Sequence, residues 1–147
     1  MSRMIFVNLP VADVEKSTAF YEALGFVKNE QFSQAGTAAS MAWSDEIVVM
    51  ILSHEFFATF TPRPIADAKA TTQVLIALSR DSRAEVDEIA DAAASAGGTA
   101  DIRPAQDMGF MYSRAFADPD GHIFEPVFMD MAAATAAFAH QGEATPA

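Results

Sequence analysis

Apolar and polar residues alternate along this chain in short runs, interrupted twice by a helical spacing, and each run ends at turn residues. Residues 4–11 (MIFVNLPV) read as a strand. Asp13 stands in an N-cap position before residues 14–24, where Val14, Tyr21 and Leu24 share a helical face, and Gly25 closes the helix. Residues 27–33, 38–43 and 47–53 read as three strands, with Gly36 and the pair Asp45-Glu46 marking the turns between them. Residues 54–72 break the pattern: Phe56, Phe57, Phe60, Pro62 and Pro64 follow no period, so the segment reads as a connecting arm. At nineteen residues it exceeds an ordinary connection, which points to a lid or a binding loop.

The first pattern then returns. Residues 73–78 form a strand, and Ser82 with Glu85 makes an S-x-x-E capping box. Val86, Ile89, Ala90 and Ala93 give the helical stripe, and Gly97-Gly98 end it. Residues 100–103, 111–117 and 123–129 are the last strands, with the turn Asp118-Pro119-Asp120-Gly121 between two of them. An alanine-rich helix is expected over 131–140 and a flexible tail over 141–147. The element order predicts an α+β fold: one domain, residues 1–140, of two βαβββ modules (4–53 and 73–129) joined by the arm 54–72. One such half leaves a sheet face uncovered, and two can combine their sheets around a cleft.

Length and composition agree with one domain: 147 residues, about half of them hydrophobic, and no cysteine. The amino-terminal residues lack a signal-peptide pattern and no apolar run is long enough to span a membrane, so a cytoplasmic location is expected. The net charge of −11 disfavours nucleic acid and anionic membrane as partners. No phosphate-binding glycine motif occurs, and the three histidines lack the context of a hydrolytic triad.

Two segments carry a resemblance. DVEKSTAFYEALGF at 13–26 resembles the first helix of the vicinal oxygen chelate superfamily (glyoxalase, bleomycin resistance protein, extradiol dioxygenase), and DPDGHIFE at 118–125 resembles its last hairpin. The resemblance implies a cleft lined by strands. In metal-dependent members a divalent ion, held by the first and last strand of each half, acts as a Lewis acid on substrate oxygens. Carried onto this chain, Glu125 falls on the carboxylate ligand of the final strand, while Phe6, Leu75 and Val49 or Met50 fall on the other three donor positions. A shift of two residues brings in Asn8 and Gln73, and His54 lies just past the fourth strand. No tightly held metal is therefore expected; were a divalent metal the cofactor, Glu125, His54, Gln73 and Asn8 would be its ligands.

Glu125 sits between Phe124 and Pro126, where a carboxylate needs a reason. It is expected to face the cleft as a lone carboxylate of raised pKa and to be the catalytic candidate. Phe6, Trp43, Met50, Leu75 and Tyr112 are expected as the ligand-binding walls. Arg114 is read either as an anchor for a ligand carboxylate or, more ordinarily, as an outward salt-bridging residue, and Arg103 shows no context. Phe56, Phe57 and Phe60 on the arm need cover, from a ligand or from a second copy in a homodimer. The reading favoured is a protein that binds a small apolar or aromatic molecule. The alternatives are a metal-dependent lyase or isomerase of glyoxalase type, an extradiol-type dioxygenase, and a dimeric interaction protein with a vestigial cleft.

Overall fold

The computed structural model describes residues 2–144. The first module runs β1 (Ile5–Val11), α1 (Val14–Ala23), β2 (Val27–Gln34), β3 (Ala38–Ala42) and β4 (Ile47–Ser53). Helix α1 starts where it does because Asp13 is extended and its carboxylate accepts from the Lys16 N–H. The sheet order is β1-β4-β3-β2, with β1 parallel to β4 and β3 antiparallel to both neighbours.

The second module runs β5 (Leu75–Ser79), α3 (Arg83–Ser95), β6 (Thr99–Ala100), β7 (Gln106–Asp107), β8 (Met111–Ser113), β9 (Phe116–Ala117) and β10 (Ile123–Met129). Between the modules the arm opens with a single helical turn, α2 (His54–Phe57), capped by the Ser53 hydroxyl, and a 3-10 turn at Ala58–Phe60. The capping box before α3 forms with a variation. Ser82 Oγ accepts from the Glu85 N–H, while the Glu85 carboxylate reaches back to the N–H of Asp81 rather than Ser82. Strand β10 lies parallel to β5 and antiparallel to β8 and β9, with β7 and β6 outside. The order of the first sheet is thus repeated, with the two outer strands each broken in two.

Both breaks have local causes. The strand expected at 111–117 is interrupted at Arg114 because its partner is Pro126, which has no N–H to donate. The Arg114 N–H still reaches the Pro126 carbonyl, and the orphaned Arg114 carbonyl accepts instead from the Ser113 hydroxyl at 3.3 Å. The strand expected at 100–103 ends at Ala100. Asp101 takes φ 56°, and residues 102–105 leave the ladder. Ala100 lies opposite Phe116 and Asp107 opposite Tyr112, so seven steps on one strand face four on the other and three residues are extruded.

One apolar core serves both modules. Val11, Phe20, Tyr21 and Ile51 from the first join Leu78, Ile89, Phe116 and Phe124 from the second. Helix α1 bridges them: the Phe20 ring lies 6.2 Å from Phe116, and Tyr21 lies 5.7 Å from Phe124. Each buried aromatic of this kind contributes about 1.5–3 kcal/mol. The two sheets meet through this core and share no strand ladder, so the opposite face of each is open, with Phe6 and Leu75 both 55% exposed. The carboxy-terminal helix α4 (Met131–Ala144) continues past the expected end at His140, and the rest of the expected tail, 145–147, lies outside the described residues. No described helix is long and apolar enough to cross a membrane.

Candidate functional site

The junction between modules is fixed by the turn after β9. The Ala12 N–H donates to Asp120 Oδ1 at 2.9 Å and the Ser17 hydroxyl to Oδ2 at 3.3 Å. The Tyr21 hydroxyl donates to Asp118 Oδ2 at 2.7 Å, and His122 Nε2 to the Pro10 carbonyl at 2.7 Å. Burial pushes the Asp118 carboxyl up, and burial followed by the Asp118 charge pushes the Tyr21 phenol well above its ordinary value. His122 is thus a structural residue of this junction.

On the open face of the first sheet, Asn8 and Met50 are directly paired across β1 and β4. The arm stands over them. Phe56 and Phe60 meet edge to face at 5.1 Å and, with Phe32 and Leu52, enclose a hollow of about 420 Å³. Phe60 and Phe32 are 68% and 62% exposed, so their rings present flat apolar surface to solvent.

The open face of the second sheet carries Glu125, and here the expectation of a lone carboxylate is corrected. Arg103 donates to Glu125 Oε2 from Nη2 at 2.8 Å and from Nε at 3.1 Å, and its Nη2 also donates to Ser113 Oγ at 3.2 Å. The excursion of residues 102–105 from the ladder is what lets Arg103 fold over β10. Asp101, just before it, and Pro104, within it, were the available signals for a break in the strand.

Two of the expected wall residues, Tyr112 and Trp43, and the possible anchor Arg114 do not lie on these faces. Tyr112 donates its hydroxyl to Asp87 of α3 at 2.7 Å and lies under the Arg83 guanidinium at 5.1 Å. Arg114 is 12% exposed and pairs with Asp87, Asp91 and Asp101 at 3.1, 3.1 and 2.8 Å; of its two readings, the structure shows the salt bridges. Trp43 packs on Phe26 at 5.0 Å, with Arg80 over its ring at 5.3 Å. The reason is parity: Ser113 is paired with Val127, on the Glu125 side of β10, so Tyr112 and Arg114 point to the helix side, and Trp43 shares the side of buried Met41. Phe6, Met50 and Leu75 lie on the open faces of their sheets.

The four residues considered as metal ligands are not brought together. Asn8 lines the first-sheet hollow, Gln73 borders a separate cavity at the module seam, His54 lies beside Asp67 and Lys69, and Glu125 is held by Arg103. Among the described residues no group of three or more His, Asp or Glu could hold a metal ion. Phe6 and Leu75 put carbon in two of the donor positions that the superfamily pattern assigns.

Comparison with known proteins agrees with this architecture. The family model of the Glyoxalase/Bleomycin resistance protein/Dioxygenase superfamily matches residues 3–125. The chain belongs to that superfamily. Its fold is similar to a hypothetical protein, SA1046, from S. aureus (26% identity, TM-score 0.72, covering 87% of this chain and 94% of that one). It is also similar to a glyoxalase/bleomycin resistance protein/dioxygenase family enzyme from Burkholderia phytofirmans (19% identity, TM-score 0.70, covering 87% and 99%). A lactoylglutathione lyase from Agrobacterium tumefaciens shares the fold at 17% identity and a TM-score of 0.63, covering 89% and 96%. No curated protein matches the chain.

Proposed function

We propose that this protein binds a flat, mostly apolar or aromatic small molecule on the open faces of its sheets, without a tightly held metal. The observation that supports this most is the hollow over Asn8 and Met50, walled by the exposed rings of Phe32, Phe56 and Phe60. Apolar walls with a few polar groups describe most small-molecule sites. Glu125, braced by Arg103, is the polar contact on the second sheet and the group through which any acid–base chemistry would run. Pairing with a second copy of the chain is the assembly this reading favours, with the open faces and their exposed Phe6 and Leu75 enclosed between the copies and the hollow left for the ligand. The metal-dependent lyase, isomerase or dioxygenase reading has less support, because two of its donor positions hold Phe6 and Leu75.

The test is a fluorescence titration with N-phenylnaphthylamine, an uncharged dye that brightens in apolar sites. Saturable binding by the wild type is expected. Phe60→Ala, at an exposed position, should weaken it roughly fivefold by removing about 1 kcal/mol of ring contact. Equal affinity in wild type and Phe60→Ala would move the site elsewhere. Glu125→Gln keeps the shape of the second face and removes its charge. If neither affinity nor any turnover changes, Glu125 is not the polar contact.

A further inference from the structure

Strands β1 and β5 are each the edge of their own sheet, no ladder joins them, and residues of both line one seam between the modules. The seam contains a cavity of about 350 Å³, walled by Pro10, Phe57, Ile65, Ile76 and Ile123, at the place where both modules and the arm converge. We propose that this cavity is a second small-molecule site, sharing no lining residue with the hollow over Asn8 and Met50, and that it takes an uncharged, ring-sized apolar molecule beneath the arm.

Three features of the seam support the assignment. Its lining holds no Asp, Glu, Lys or Arg, so a charged ligand would lose its hydration with no counter-charge in return. The one titratable lining group, His122, is already engaged through Nε2 with the Pro10 carbonyl. Polar contacts are limited to Gln73 and a few threonines, enough to orient one hydroxyl or ring N–H on an otherwise apolar ligand. The roof is fixed as well: a Cβ at Gly121 would stand 2.9 Å from the Ala68 backbone, so the arm presses directly on the turn before β10. The cavity opens to solvent along residues 71–74, so a ligand that fills it trades water against apolar walls for contacts with both modules.

Indole is a suitable probe, being neutral, flat and armed with a single N–H donor. In an NMR titration of the full chain, saturable shifts are expected at the amides of Ala68, Ile76 and Ile123. Thr72→Trp adds a ring at an exposed position of the lining and should weaken these shifts at least tenfold. Val74→Phe, at another exposed lining position, should act in the same direction and guards against a misfolded first variant. Indole shifts confined to Asn8, Gln34 and Met50 would place the ligand on the open sheet face and overturn the seam assignment. So would seam shifts that persist unchanged in both filled variants, or no saturable shift at all.

Discussion

The Tyr21 hydroxyl and the Asp118 carboxylate meet at 2.7 Å across 97 residues of sequence, joining the first helix of one module to the last hairpin of the other. Neither group reaches solvent freely, so each satisfies the other's buried hydrogen-bonding need. Replacing Tyr21 by Phe leaves Asp118 short of a donor and should cost about 1–3 kcal/mol in chemical denaturation. A variant as stable as the wild type would show that the pair does not hold the modules together.

The same pair sets an alkaline limit. The folded-state pKa of Tyr21 lies well above the ordinary 10.0, through burial first and the Asp118 charge second. Its contribution to stability is therefore complete below the unfolded-state value and is lost as pH rises toward the folded-state value. Tyrosinate absorbance of the native protein should stay low as pH passes 10.0, with Tyr21 ionising only as the fold opens. Reversible ionisation of both tyrosines near that value in folded protein would contradict the buried placement.

The acid limb has a different origin. Arg83 grips Asp107 through two bonds of 2.7 and 2.9 Å and holds its carboxyl at about 2, while Arg114 holds Asp101 low. These folded-state values lie below the unfolded 3.8, so the stability they supply is present above that pH and is lost as pH falls toward about 2. Thermal melts across this range should show a shallower acid slope for Arg83→Met than for the wild type. Parallel slopes would show that the Arg83–Asp107 pair does not contribute to the acid limb.

Gly121 is a backbone position with two constraints, φ 99° and an arm 2.9 Å from where a Cβ would stand. Gly121→Ala should lower stability by more than about 1 kcal/mol and lift the arm. Trypsin cutting after exposed Lys69 would report the second effect as faster cleavage. Unchanged melting and cleavage would show that the arm is not seated on the turn.

Much of the fold was legible because its signals are local. Asp13, Ser82 and the paired glycines mark helix ends, and the turn at 118–121 marks the last hairpin. The site was less legible because its geometry depends on pairing. Placing Tyr112 and Arg114 on the helix side requires knowing that Ser113 lies opposite Val127, a register that no local pattern contains. Arg103 reaches Glu125 only because three residues are extruded between β6 and β7, and that slip is defined against β8 and β9 rather than within its own segment. Pro126 was visible in the sequence, yet its consequence falls on Arg114, twelve positions earlier.

Metal-independent binding of an apolar aromatic molecule is checked by one affinity measured under three conditions. N-phenylnaphthylamine is titrated into protein as purified, after exhaustive dialysis against chelator, and after addition of zinc or manganese. Saturable binding is expected, with dissociation constants that agree within about twofold across all three. Binding that vanishes with the chelator and returns with the metal would contradict it, and would make Asn8, Gln73, His54 and Glu125 the residues to re-examine as ligands.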